Sequence, residues 1–166
     1  MKRVYLDTSV FFRIFFDEPR KEEIDRIVLH AKDRKIQIVI SEWVVNEAVA
    51  AVQKKVSKEK IDQTEAHNIL VAIAEFLEEN YKSQIIISYK ISEDVILTSR
   101  AVIQNLNLHA SDALHVHIAI SSDCKYFITA DRGLGVQLRA LGSVLIPVDI
   151  EIQSDLTQFF SDVDIE

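Results

Sequence analysis

The strongest constraint in this chain is a set of short apolar runs too continuous to lie on a half-wet sheet. Val4 to Leu6, Ile36 to Ile40, Tyr126 to Thr129 and Val144 to Val148 read as strands, and all but one lack clean polar alternation. A strand with one solvated face alternates apolar and polar side chains, whereas a strand covered by helices on both faces does not, as in a parallel sheet. Between these runs lie segments of helical period, at roughly 19 to 33, 42 to 56, 59 to 80, 93 to 105 and 111 to 122. Strand and helix in alternation predict an α/β fold. A further run, "QIIISYKI" from Gln84, is strand-like, but its pattern does not set its place in the sheet.

A chain of 166 residues suits one domain with a real core. Its 48% hydrophobic content argues against disorder, and three glycines with two prolines leave little material for a turn-rich sandwich. No stretch reaches the roughly 18 apolar residues that span a bilayer, and the N-terminus runs straight into a strand without the regions of a signal peptide. A cytoplasmic location is therefore expected. Cys124 is alone, with no partner for a disulfide or a zinc site, and is expected in or near the core.

Residues 1 to 148 are expected to form the domain, with a helical excursion at about 54 to 81 that carries "ILVAIAEFL" from Ile69. That excursion suits core packing, a hairpin arm or a self-association face. From Asp149 to Glu166 there are six acidic residues and no basic one, which reads as a tail that solvates the C-terminus. The net charge of −7 runs against a nucleic-acid binder, which usually draws on a basic footprint. Basic residues do gather at Arg20 and Lys21, at Lys32, Arg34 and Lys35, and at Lys54, Lys55, Lys58 and Lys60. Solvated helix faces and a phosphate track both account for them.

Four acids fall on one edge of such a sheet. The C-terminal ends of parallel strands share an edge, and ligands bind in the crevice outside it. Asp7 ends the first strand, and Asp131 follows "YFIT". Helices that lead from one strand to the next begin at that edge; Asp112 opens one of them, in "SDALHVHIAI", and Glu47 lies about six residues into another, within roughly 10 Å of its start. Singly, each has a plainer reading: Asp7 as a helix cap, Asp112 as a first-turn charge on the helix dipole, Asp131 as a turn former with Gly133. Glu47 is harder to dismiss, because "WVVNEAVAAV" is apolar nearly all round and predicts a buried helix, where glutamates are rare unless paired. Unit charges 4 Å apart repel by about 4 kcal/mol at an effective dielectric near 20, so such a group needs raised pKa values or a cation. All-oxygen donors select hard ions, Mg²⁺ or Mn²⁺.

Zinc is the obvious rival. His115 and His117 point about 200° apart on a helix and cannot share a site there, whereas Asp112 and His115 share a face. His115 either borders the acids or is a hydrogen-bonded core histidine.

With these residues placed, the chain resembles the PIN domain family, and most of all its VapC-type toxin ribonucleases. The resemblance rests on "YLDTSVF", "SEWVVNE", "ASDALHVHIA" and "YFITADRGL", in that order, and covers residues 1 to 148. It implies a helix-rich, three-layer α/β/α sandwich on a mainly parallel sheet, dependence on Mg²⁺ or Mn²⁺, and endonuclease activity on RNA. It also implies a homodimer and, for a toxin, a cognate antitoxin protein. Asp7, Glu47, Asp112 and Asp131 match the family's acidic quartet, as catalytic residues and metal ligands. Ser9 and Thr129 match hydroxyl positions that orient a carboxylate or a water. Glu42, five residues before Glu47, lies about 140° round the helix and should face elsewhere. The insertion after residue 53 and the acidic C-terminus depart from the minimal toxin, which leaves an RNA-processing nuclease as an alternative.

The reaction expected is hydrolysis of an RNA phosphodiester by water, leaving a 5′-phosphate and a 3′-hydroxyl. A haloacid-dehalogenase-like phosphatase would need a second acid where Ser9 stands. A silent RNA- or protein-binding module would not need to hold mutually repelling acids.

Overall fold

The computed structural model describes residues 1–165. The chain runs β1 (Lys2–Leu6), α1 (Thr8–Phe11) with a 3₁₀ turn over Phe12–Phe15, α2 (Lys21–Lys32), β2 (Ile36–Ser41), α3 (Glu42–Ser57), α4 (Gln63–Lys82) and β3 (Ile86–Tyr89). It continues through α5 (Glu93–Leu106), α6 (Ala110–Ser121), β4 (Tyr126–Thr129), α7 (Arg132–Leu138), β5 (Ile146–Asp149) and α8 (Gln153–Asp164). The sheet is five-stranded and wholly parallel, in the order β3-β2-β1-β4-β5. Register aligns Ile86, Ile38, Val4, Tyr126 and Ile146 in one row across it. Consecutive residues Val4, Tyr5 and Leu6 are buried, as are all four of β4. Successive strand side chains point to opposite faces, so both faces are covered and the architecture is the three-layer α/β/α sandwich expected. The strand-like run after Gln84 is the edge strand β3.

The chain fills one side of the sheet with β2 and β3, then crosses through α5 and α6 to the other side of β1. The switch in winding falls between β1 and β4. Crevices form where strand order reverses, outside the C-terminal ends.

The C-terminal segment departs from expectation. Residues 153–164 do not solvate the terminus; they form α8, with Leu156, Phe159, Phe160 and Val163 buried. Those four stand at i, i+3, i+4 and i+7, a core-facing stripe that the acid count obscured. The acids fasten the helix: Asp162 accepts from Lys125 Nζ at 2.6 Å and from the Tyr126 hydroxyl, and Asp164 pairs with Arg26 and Lys35, each at 2.8 Å. The Arg26 guanidinium also lies 3.9 Å from the centre of the Phe160 ring.

The helical excursion is the end of α3 and α4, which pack on each other, and Ala66, Ile73 and Leu77 of α4 join the core. Helix α3 is less buried than its composition suggested. Val44, Ala48 and Val52 form its core stripe, while Trp43 is 40% exposed and Val49 38%. Cys124 is buried as expected, and burial pushes its thiol up to about 12.

Candidate active site

Asp7 stands one residue beyond β1, with extended φ and ψ, and starts α1 through its backbone: its carbonyl accepts from the N–H of Val10 (3.0 Å) and Phe11 (2.9 Å). Its carboxylate makes no cap, which removes the plainest alternative. Instead, Oδ2 accepts from Ser9 Oγ at 2.7 Å and Thr129 Oγ1 at 2.9 Å. Each hydroxyl is aimed from behind: Ser9 Oγ accepts from the N–H of Ala130, and Thr129 Oγ1 from that of Asp131, both at 2.9 Å. With acceptor capacity used by backbone donors, the hydroxyl protons are left for the carboxylate. Asp7 is only 7% exposed, and its Oδ1 has no hydrogen-bond partner among the described residues. One oxygen is clamped and the other is free.

Asp112 lies in the first turn of α6, half-buried, its carboxylate unpaired among the described residues. Burial, then the charges of Asp7 and of Asp131, hold its carboxyl above the ordinary value. That is the mutual repulsion anticipated from the topology, now attached to three particular acids. Asp131 caps α7, its Oδ1 accepting from the Leu134 N–H at 3.0 Å. The turn-chemistry reading is therefore correct for one of its oxygens, and the other stays free of hydrogen bonds among the described residues.

Glu47 is different. Its Oε2 accepts from the Thr8 hydroxyl and lies 2.9 Å from His115 Nε2, and its Oε1 accepts from Trp43 Nε1 at 3.0 Å. Burial pushes the carboxyl up, but these donors, His115 first, outweigh it and hold the pKa below its ordinary value. Toward an ionised Glu47, His115 donates from Nε2, and its Nδ1 lies 2.7 Å from the Tyr5 hydroxyl. Burial pushes the Tyr5 phenol far up, so it keeps its proton, and it donates to Ser41 Oγ at 3.0 Å. His115 is 1% exposed. It is at once a core histidine and the residue that backs Glu47.

Glu47 is thus held by Thr8, Trp43 and His115 rather than presented bare. Among the described residues, no three acidic, histidine or cysteine side chains converge as a ready ligand cage. Asp7, Glu47 and Asp131 each spend at least one oxygen on protein donors, and of the four acids Asp112 alone makes no such bond among the described residues. A hard ion still fits: Mg²⁺ takes one or two carboxylates and keeps several waters. Oδ1 of Asp7 and the unpaired carboxylate of Asp112 could supply two such ligands, oxygen only.

Other residues fall outside. Glu42 is exposed, as the 140° offset required. His117 turns away to Thr98, at 2.8 Å. Of the basic residues, Arg20, Lys21, Lys35 and Lys55 are engaged in ion pairs with Glu23, Asp25, Asp164 and Glu18. Sequence reasoning missed Tyr5, Thr8, Ser41 and Trp43. Trp43 had a signal, standing four residues before Glu47 on one helix face; Tyr5 and Ser41, buried in the strands, had none.

The family model described as PIN domain matches residues 4–136. Among solved structures the chain is similar to PAE2754 from Pyrobaculum aerophilum, at 14% identity and TM-score 0.62, covering 99% of this chain and 97% of that one. It is also similar to VapC20 of Mycobacterium tuberculosis, a sarcin-ricin loop cleaving toxin, at 14% identity and TM-score 0.60, covering 84% and 95%. Likeness at this identity is likeness of fold. No curated protein matches the sequence.

Proposed function

This chain belongs to the PIN domain family, and from that premise we propose that it is a metal-dependent endoribonuclease acting where β1 and β4 end. The observation that carries this reading is the clamped Asp7: two hydroxyls spend themselves on Oδ2 and leave Oδ1 bare, close enough to Asp112 to raise its pKa. A fold gains nothing from holding repelling carboxylates together, whereas a cation site requires it.

Asp7 and Asp112 would hold the ion, with Asp131 through its uncapped oxygen as a further ligand. A bound Mg²⁺ or Mn²⁺ supplies the Lewis acidity that activates water and offsets charge on the phosphoryl oxygens. Ser9 and Thr129 fix the rotamer of Asp7, so that Oδ1 keeps one position. Glu47, held as an anion by His115, Thr8 and Trp43, would accept a proton leaving water at Oε1, which has one donor against two on Oε2. His115, backed by Tyr5, keeps that anion ionised and oriented. In-line attack by water leaves a 5′-phosphate and a 3′-hydroxyl.

Within this reading the protein is the toxin of a toxin-antitoxin pair, a homodimer bound by a cognate antitoxin. The likeness to VapC20 across 95% of that chain supports it. An RNA-processing role is the second reading, favoured by the long α3–α4 pair beyond the minimal domain. The two separate on expression in a bacterial host: a toxin arrests growth, and co-expression of a short DNA-binding protein encoded beside it relieves the arrest.

Activity itself is tested with purified protein and single-stranded RNA. Cleavage should need Mg²⁺ or Mn²⁺, stop with chelator, and vanish in Asp7→Asn and Asp112→Asn. Cleavage that survives both substitutions would refute the site.

A further inference from the structure

Beside the carboxylates lies an apolar cleft that the proposed reaction leaves unused. Its volume is about 330 Å³, and Trp43 of α3, Ile96 and Ile103 of α5 and Leu114 of α6 line it together with Arg100 and Ser111. Trp43 and Ile96 are 40% and 50% exposed. Large apolar side chains left open around a concavity mark a binding site more often than an accident of packing.

Three features identify the occupant. Trp43 is tied by Nε1 to Oε1 of Glu47 at 3.0 Å, so its only polar atom is satisfied and what it presents is ring. Ser111 of the cleft is the residue before Asp112, which places the cleft within one nucleotide's reach of a phosphate at the acids. Arg100 makes no ion pair, and the Ser111 hydroxyl no hydrogen bond, among the described residues. A flat apolar surface, one free cation and one free hydroxyl match a base, its phosphate and its polar edge. We propose that this cleft takes an unstacked nucleobase next to the scissile phosphate of a single-stranded RNA, stacked on Trp43 with Arg100 toward the backbone. The inference rests on the nuclease reading above for the chemical class of its ligand.

Trp43 is the only tryptophan in the chain, so its fluorescence reports on the cleft directly. In EDTA, where no cleavage occurs, a single-stranded RNA oligonucleotide should quench that emission saturably, and an abasic strand of the same length should not. Ile96→Glu, an exposed position that does not touch Glu47, should abolish the quenching and raise KM by roughly 10-fold with kcat unchanged. Equal effects of the two strands, or none from either, would overturn the proposal. So would emission that shifts with protein dilution in step with dissociation of a dimer, since a second copy would then cover the cleft. Quenching without any metal-dependent cleavage would keep the cleft and remove the nuclease reading; cleavage without quenching would remove the cleft alone.

Discussion

Thr129, the last residue of β4, donates its hydroxyl to Oδ2 of Asp7, one residue past the end of β1, at 2.9 Å. That bond joins the two strands between which the winding of the sheet reverses, and it fixes the carboxylate on which the proposed chemistry depends. Thr129→Val keeps the shape and removes the donor. It should lower metal-dependent cleavage by about 10- to 100-fold, the usual cost of losing a partner that orients a ligand. Ser9→Ala should act similarly, and the double variant should fall short of the product of the two, since both hydroxyls serve one oxygen. Cleavage rates at saturating metal decide this; unchanged rates would mean that Asp7 needs no orienting.

His115→Leu tests the support behind Glu47. It takes one partner each from the Tyr5 hydroxyl and from Glu47 Oε2, which keep Ser41 and Thr8, at a cost of about 1 kcal/mol for each hydrogen bond lost. Thermal unfolding should show the loss, and cleavage should fall with kcat affected more than KM. His115→Gln, which can still donate toward Glu47, should recover part of both.

The acids also set the metal-free stability. The carboxyl of Asp112 is raised in the fold by burial and by Asp7 and Asp131. A group raised above its unfolded value contributes stability that is complete below the unfolded pKa and lost as pH rises through the folded one. Asp112→Asn, which cannot ionise, should therefore have a higher Tm than the wild type at neutral pH without metal, and the gap should close as pH falls below the carboxylate range. Added Mg²⁺ or Mn²⁺ should raise the Tm of the wild type more than that of the variant.

Helix α8 carries the opposite sign. Hydrogen bonds from Lys125 and then Tyr126 pull the Asp162 carboxyl down to about 2. A depressed acid contributes stability that is present above the unfolded value, about 3.9, and is lost as pH falls through the folded one. Circular dichroism melts between about pH 5 and pH 2 should show this loss in the wild type and a flatter profile in Asp162→Asn.

Much of this was legible in the chain. Continuous apolar runs gave the buried parallel strands, and strand ends gave the edge on which Asp7, Asp112 and Asp131 meet. Ser9 and Thr129 were legible as orienters only through the resemblance to the PIN family, which has hydroxyls at those positions. What escaped is of two kinds. The stripe of Leu156, Phe159, Phe160 and Val163 was present but outweighed by six acids, and the partners of Asp162 and Asp164 lie on distant segments. The backing of Glu47 by Tyr5 and Ser41 could not be read at all, since strand register across β1 and β2 creates it. Helix α3 misled for a related reason: its apolar residues exceed what the core beneath it can cover, and the surplus around Trp43 became surface.

The measurement closest to the central claim is the chemistry of the product ends. RNA cleaved by the wild type in Mg²⁺ or Mn²⁺ should carry 5′-phosphate and 3′-hydroxyl termini, read by end-labelling or mass spectrometry, and Asp7→Asn should give none. Products bearing a 2′,3′-cyclic phosphate would contradict the account, because they require the 2′-hydroxyl of the RNA, not water, as the nucleophile.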